Sequence, residues 1–382
     1  TIEGENVQNF LKNLIEKIKN EEKIEIYLNS EVIKSEGFIG NFLTQVKDLV
    51  TGEIKEIKHG VTIIATGAQE FKPYGFYCYG KHKCILTARE LEEEIAKNKE
   101  QFKKVKEVVM IQCVGSRDEE RPYCSRVCCT LAIQNALNLK AINPNIEIYI
   151  LYRDIRTYGF KEDYYAKARQ FNVKFIRFEK ERPPLVSVEN NQIKVQVYEP
   201  ALKEEIELNP DFLILSAAIT PNPDNEKLSQ IFKISLTQDK FFLEAHMKLR
   251  PVDFATDGIF LCGLAHGPKF ISESIAQAKA AASRAATILT KPVLKGEALI
   301  AEVYDEKCDG CAYCVEVCPA KAIKLLEYIH KNEVKKVVEV NASLCKGCGN
   351  CMATCPKQGI MVRNFTLDIF SAMIEAALTP PT

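Results

Sequence analysis

The sequence predicts an α/β protein in which one βαβ-type domain is interrupted by another, followed by a small cysteine-rich α+β domain. Three observations lead there. Residues 61–67, VTIIATG, and 257–269, DGIFLCGLAHGPK, are apolar runs ending in glycine-containing turns, and the second leads into the small-residue helical stretch ISESIAQAKAAASRAATIL. Between them KEVVMIQCVGS, TLAIQNALNLKAI and IEIYILYRDIR read as strand, helix and strand, and DFLILSAAITPNP reads as a further strand closing the inserted unit. Residues 308–319, CDGCAYCVEVCP, recur as 345–356, CKGCGNCMATCP, with every cysteine displaced by the same interval.

Composition bounds the function. A chain of 382 residues that is 46% hydrophobic buries a real core and divides into two or three domains. Its 51 Lys plus Arg offset its 51 Asp plus Glu, so no net basic field attracts nucleic acid or an anionic membrane. No run approaches the roughly 20 apolar residues that span a bilayer, and the start lacks a signal-peptide pattern, so the expectation is a cytoplasmic protein without a membrane span. The first residue is Thr, which predicts a start inside a longer gene product or after a cut. Fifteen cysteines in a long chain with no signal and an odd count favour metal over a disulfide framework.

The repeated run is C-x2-C-x2-C-x3-C-P. In bacterial two-cluster ferredoxins three close thiolates of this run wrap one cubane and the fourth ligates the other cluster. One 4Fe-4S cluster is therefore expected on Cys308, Cys311, Cys314 and Cys355, and its partner on Cys345, Cys348, Cys351 and Cys318. Gly310, Gly347 and Gly349 suit loops whose N–H groups approach the sulfides closely. Zinc is the alternative, but zinc ribbons pair two C-x2-C knuckles and do not use the third cysteine or the x3-C-P step. So short a domain has little core, and the clusters should also staple it.

The order of the upstream elements resembles the two-dinucleotide-domain flavoproteins of the thioredoxin reductase type, in which an FAD domain is interrupted by a NAD(P)-like domain. That resemblance divides the chain into FAD-domain segments at 1–104 and 223–295, an inserted domain at 105–222 and a ferredoxin domain with a C-terminal helix at 296–382. It implies FAD contacts at Thr66 and Gly67, at Gly263, Pro268 and Lys269, and at Gln277 on the following helix near the isoalloxazine pyrimidine edge. Two departures stand out. Leu264 follows Gly263 where the family has Gly-Asp, and the G-x-G-x-x-G turn that cradles the FAD pyrophosphate is not in these residues, so a missing segment or a separate chain is expected to complete the site.

In the inserted unit the strand-to-helix turn reads CVGSRDEERPYCSRVCC where a dinucleotide fold needs glycines. It brings Cys113, Cys124, Cys128 and Cys129 to a helix N-terminus, which favours thiolate over thiol. A third 4Fe-4S cluster is expected there in place of nicotinamide binding; a Cys124–Cys128 redox disulfide is the alternative.

IQCVGSRDEERPYCSRVCCTLAIQNAL, YILYRDIRTYG and GLAHGPK, followed by the ferredoxin pair, closely resemble the HdrA-type component of heterodisulfide reductase and its relatives, from about residue 25 onward. The resemblance implies an oxidoreductase component that binds FAD, carries a cluster on the four inserted cysteines and passes electrons along ferredoxin-type clusters. It also implies bifurcation between ferredoxin and a CoM-S-S-CoB-like disulfide. The partners implied are ferredoxin, the B- and C-like subunits of such a complex, and a hydrogenase- or formate dehydrogenase-linked subunit. Where the family commonly has a lysine one turn into the helix, near flavin N5, this sequence has Gln134, which weakens the case for bifurcation. The rivals are a non-bifurcating relay of the quinone-interacting or benzoyl-CoA reductase-associated type, and an iron-sulfur scaffold without redox turnover. No general acid or nucleophile is expected in either case.

Other residues read as structural. Cys78, Cys84 and Cys262 behave as small buried hydrophobes. His266 is either a satisfied loop histidine or a proton carrier, Lys269 either a cation beside a reduced flavin or a solvated side chain. Arg153 and Arg156 suit structural pairing or interdomain contacts, and Phe370, Met373 and Ile374 give the tail an amphipathic helical face that either docks a partner subunit or folds back on its own domain.

Overall fold

The computed structural model describes residues 7–294, 299–330 and 333–379. These fall into two compact units, one running up to Ser35 and over Gln45–Glu56 and Thr62–Arg284, the other over Glu36–Thr44, Ile57–Val61 and from Ala285 onward.

The chain opens with α1 (Val7–Lys19) and strands β1 (Ser30–Phe38), β2 (Asn41–Asp48) and β3 (Ile54–His59), which form one three-stranded sheet. Then come β4 (Thr62–Ile64) and β5 (Ala68–Glu70). Next are β6 (Ile85–Thr87) and α2 (Ala88–Lys97), which starts on a capping box between Thr87 and Glu90. The inserted unit follows with β7 (Glu107–Val114), α3 (Cys128–Ile142), β8 (Glu147–Tyr152), α4 (Glu162–Gln170) and β9 (Lys174–Arg177). A meander of β10 (Leu185–Glu189), β11 (Gln192–Glu199) and β12 (Glu204–Leu208) leads to β13 (Phe212–Ala217) and β14 (Ile219–Pro221). After α5 (Asn225–Phe232) come β15 (Ile259–Leu261) and α6 (Ile271–Leu289).

The centre is a five-stranded parallel sheet in the order β6-β13-β7-β8-β9. The continuous apolar run of β7 follows from burial on both faces. Val108 and Met110 pack with Ala132, Ile133, Ala136 and Leu139 of α3, whereas Val109 and Ile111 pack with Ile193, Val195 and Val197 of the meander. The strands KEVVMI, IEIYIL and DFLILS become the neighbours β7, β8 and β13; β6 and β9 are too short to carry a pattern, and the sheet takes them as edges. β4 pairs in parallel with β15, and β5 antiparallel with β14. The chain thus leaves one small sheet, builds the five-stranded unit and returns.

In the second unit β16 (Ala301–Val303) pairs antiparallel with β19 (Ile360–Val362), and β17 (Ile323–His330) with β18 (Glu333–Val340). The short helices α7 (Tyr313–Glu316) and α8 (Asn350–Thr354) carry Cys314 and Cys351, and α9 (Leu367–Leu378) ends the described chain. Among the described residues no helix is long and apolar enough to cross a membrane.

Candidate metal and cofactor sites

The two cysteine runs fold alike. Ala312 and Gly349 occupy the left-handed N-cap positions of α7 and α8, at φ of +63° and +80°. Gly347 lies at φ +63°, and a Cβ there would stand 2.3 Å from the Leu299 carbonyl oxygen; one at Gly310 would meet the Lys336 Cβ at 2.4 Å. Both glycines are needed for close packing as well as for their backbone angles.

Cys318, Cys345, Cys348 and Cys351, the set assigned to one cluster, line a single cavity with Ala301, Ala322 and Val362. The other set is gathered too: Cys314 lies within electrostatic reach of Cys308 and Cys355. Backbone donors reach the sulfurs, from Ala322 N–H to Cys318 Sγ at 3.2 Å and from Gly359 N–H to Cys355 Sγ at 3.3 Å, the same four-residue step in each repeat. Ala301 N–H donates to Cys345 Sγ at 3.3 Å. Such donors favour negative sulfur, the state a cluster requires. Burial pushes the Cys314 thiol up to about 11 and raises Cys351. Among the described residues no three His, Cys, Asp or Glu side chains stand close enough to hold a single metal ion. Four thiols around a shared space suit the corners of a cluster, which lie further apart than the ligands of one ion.

The inserted set is built by irregular backbone. Between Leu215–Ile111 and Ala217–Val114 the β13–β7 register shifts, β7 gaining one residue, and this bulge turns out Cys113 at φ +62°. Arg117 and Arg126, at φ +58° and +59°, wind the loop back to α3, which begins at Cys128 without a side-chain cap on Val127. Cys113 and Cys124 act electrostatically on both Cys128 and Cys129, so the four converge. Arg126 N–H donates to Cys124 Sγ at 3.3 Å and an Arg117 guanidinium N–H to Cys113 Sγ at 3.9 Å. Burial raises Cys128 and takes Cys129 up to about 11, in the direction opposite to the pull of the helix terminus. Three residues adjacent in sequence to the set or to its contacts carry buried polar atoms without a partner among the described residues. They are the Gln112 amide beside Cys113, the Thr130 hydroxyl beside Cys129, and the Ser216 hydroxyl beside Ala217, whose carbonyl accepts from Cys128 Sγ at 3.9 Å.

Of the residues assigned to FAD, Thr66 is exposed and Gly67 lies at φ +73° in the turn between β4 and β5. Gly263 lies at φ +70° after β15. Lys269 is buried rather than solvated, and its Nζ donates to the carbonyls of Gly263 and Gly267, both at 2.8 Å. Burial first, then Arg126, lowers its pKa to about 8. Gln277 faces inward: its Oε1 accepts from Gly263 N–H at 3.1 Å and its Nε2 meets His266 Nδ1 at 2.8 Å. The Pro268 carbonyl accepts from Arg126, whose guanidinium also reaches Glu273 Oε1 at 2.7 Å.

One cavity is lined both by the residue after Gly263 and by one of the four inserted cysteines. Leu264, next to Gly263, lines it together with Cys128, Val127, Ser216, Ala68 and Ala88. It lies past the carboxyl ends of β6 and β13, where parallel sheets place ligands, and Ser216 is among its lining residues.

Sequence reasoning passed over Arg126, Ser216 and Glu244. A cation between two candidate ligand cysteines, C-S-R-V-C-C, was a usable signal for Arg126; nothing local marks Ser216 or Glu244, whose Oε2 lies 2.9 Å from His266 Nε2. Arg153 donates to the Ser116 and Arg117 carbonyls at 2.8 and 2.9 Å and Arg156 pairs with Asp154, so both are structural. Cys262 is buried, and Cys78 and Cys84 pack at the edge of the meander core.

Residues 307–359 match the 4Fe-4S dicluster domain family. The HdrA-type iron-sulfur component of the CoB–CoM heterodisulfide reductase of Methanocaldococcus jannaschii is 39% identical over 295 residues, which is 72% of this chain and 44% of that protein. The corresponding component of the H2:CoB-CoM heterodisulfide,ferredoxin reductase of Methanothermobacter marburgensis is 40% identical over 343 residues, 85% of this chain and 50% of that one. Among solved structures, T. acidophilum thioredoxin reductase aligns with a TM-score of 0.46 and 14% identity, covering 74% of this chain and 81% of that one. An interrupted α/β frame joined to a dicluster domain defines the class: iron-sulfur proteins of the 4Fe-4S dicluster type. Within it, the sequence likeness places the chain in the HdrA family of heterodisulfide reductases, a family of oxidoreductase components. It spans about half the length of the curated relatives it matches.

Proposed function

We propose that this chain is the electron-transfer part of a heterodisulfide reductase-type complex, carrying FAD and three 4Fe-4S clusters. The cavity shared by Leu264 and Cys128 carries the reading, because it brings the turn assigned to the flavin and a ligand of the third cluster to one space. FAD, when bound, would exchange electron pairs for single electrons, and the clusters would carry single electrons onward. The chain's residues would hold and tune. Cys113, Cys124, Cys128 and Cys129 would hold the cluster beside the cavity, while the two repeated sets would hold the others. Lys269 would offset negative charge at the flavin turn, Gly67 and Gly263 would let the backbone approach, and Leu264 and Ala68 would exclude water from the ring.

The M. marburgensis relative is named for both a heterodisulfide and ferredoxin, which supports splitting an electron pair between two such acceptors here. The partners would be ferredoxin, B- and C-like subunits and a hydrogenase- or formate dehydrogenase-linked subunit, with a further segment or chain supplying the FAD pyrophosphate turn. Gln134, half-buried on α3 where the family commonly has lysine, favours a second reading, plain relay.

Anaerobic purification with metal analysis tests the proposal. About twelve irons per chain, with bound flavin, are expected; zinc instead of iron would refute it. Potentiometric titration of the flavin separates the readings. A single two-electron wave is expected for splitting, and two well-separated one-electron waves would establish relay.

A further inference from the structure

The turn after β15 is held by side chains whose hydrogen-bonding directions leave one solution. The Gly263 N–H can only donate, and it donates to Gln277 Oε1 at 3.1 Å. That orients the amide, so the NH2 group of Gln277 faces His266 Nδ1 at 2.8 Å. Nδ1 must therefore accept and carry no proton. The imidazole proton sits on Nε2, 2.9 Å from Glu244 Oε2. One protonation state satisfies every contact: ionised Glu244, neutral His266 with its proton on Nε2, and Gln277 with its oxygen on Gly263. The carbonyl of Gly263 is held as well, by Lys269 Nζ. The same carbonyl accepts from His266 N–H at 3.2 Å, and Gly263 itself sits at φ +70°.

Three groups face His266: Glu244 from the segment before β15, Gln277 from α6, and Lys269 from the turn itself. Glu244 favours a proton on the ring, but burial and the Lys269 charge oppose it, and the balance is below the ordinary histidine value.

We propose that Glu244, His266 and Gln277 form a proton-operated latch on Gly263. A proton arriving at His266 Nδ1 sets two donors against each other, the Gln277 amide turns over so that its oxygen accepts from Nδ1–H, and the Gly263 N–H loses its acceptor. No bond other than N–H forms, and the proton comes from solvent. The latch exists independently of any cofactor. Its purpose rests on the flavin reading, because Gly263 is the position assigned to the flavin turn: the three are positioning residues that would tie its geometry to proton arrival.

The test is NMR on the intact protein before flavin is added. The chain has five histidines, so 15N-histidine labelling is tractable, with His266 assigned through His266→Asn; 15N-glycine labelling reports Gly263. At neutral pH His266 should show a bare Nδ1 and a protonated Nε2. Gly263 amide protection, taken relative to the intrinsic exchange rate at each pH, should be high above the His266 midpoint and drop as pH falls through that same midpoint. Gln277→Leu should lower Gly263 protection about tenfold above the His266 midpoint, the loss of one hydrogen bond, and should match the wild type below it. Gln277→Glu, whose carboxylate accepts from both neighbours, should raise the His266 midpoint by about one pH unit or more and keep Gly263 protected on both sides of it. A proton on Nδ1 of the wild type, or Gly263 exchange that ignores the His266 titration, overturns the latch; these wild-type measurements decide it even if a variant fails to fold. Absence of flavin from the purified holoprotein would defeat the flavin reading alone and leave the latch standing.

Discussion

Single residues here do work that their type does not announce. Arg126 adopts a left-handed conformation, gives its N–H to Cys124 Sγ and spreads its guanidinium over Pro268 and Glu273. Arg126→Gly keeps the backbone angle and the N–H but removes the charge. Iron content should stay at the wild-type level while the third cluster's reduction potential falls, as read by EPR-monitored titration, and Arg126→Lys should recover part of the difference. Lys269 predicts a pH effect. Its folded pKa, about 8, lies below its ordinary value of 10.5. Between those values the unfolded chain holds a proton that the folded chain has shed, so stability rises with pH across that window, and the cost of the buried charge is complete below it. Denaturant midpoints at about pH 7 and about pH 10 should show this rise, and Lys269→Met should flatten it. At Gly347 an added methyl meets a carbonyl oxygen at 2.3 Å in a left-handed conformation. Gly347→Ala should cost about 1–3 kcal/mol from the backbone angle alone, with further loss from the clash, measured by chemical denaturation.

At the scale of elements, β7 and α3 form one device. A strand buried on both faces delivers Cys113 through a bulge, and a helix with an uncapped N-terminus delivers Cys128 and Cys129. The helix does not depend on its first turn, because Ala132, Ile133, Ala136 and Leu139 fix it in the core. Cys124→Ala should therefore lower iron by about four atoms per chain and erase one reduced-cluster EPR signal, with circular dichroism unchanged. Loss of helical signal would mean that the cluster, not the core, holds α3.

Across the whole molecule the two units stand on different physical footings. The five-stranded sheet has large apolar cores on both faces. The C-terminal unit gathers, among its described residues, a core of Ala301, Cys314, Ile323, Val338, Cys351 and Ile360, two of them ligand candidates. Its apolar burial is small, and metal binding should supply much of its folding free energy. Anaerobic chelation should strip amide-exchange protection from β16 to β19 while β7, β8 and β13 keep theirs. Equal loss in both units would contradict this division.

How much was legible follows the reach of each signal. The repeated cysteine spacing, the glycines at 310 and 347 and the apolar strands are local patterns, and local stereochemistry makes them readable: a twofold or 3.6-fold period, or a ligand step, is written within a dozen residues. The edge strands β6 and β9 carry no such period, and only the sheet selects them. The turn after β15 could be named from sequence, but what holds it could not. Glu244, His266 and Gln277 come from separate segments, and the direction of each hydrogen bond exists only once those segments meet. The sequence by itself therefore determined which chemistry this chain can host, since thiols at cluster spacing are covalent fact. Only tertiary structure decided which sulfurs share a space, which charges are buried and which amides are bound, because burial and hydrogen-bond direction belong to the packed chain and to no stretch of it alone.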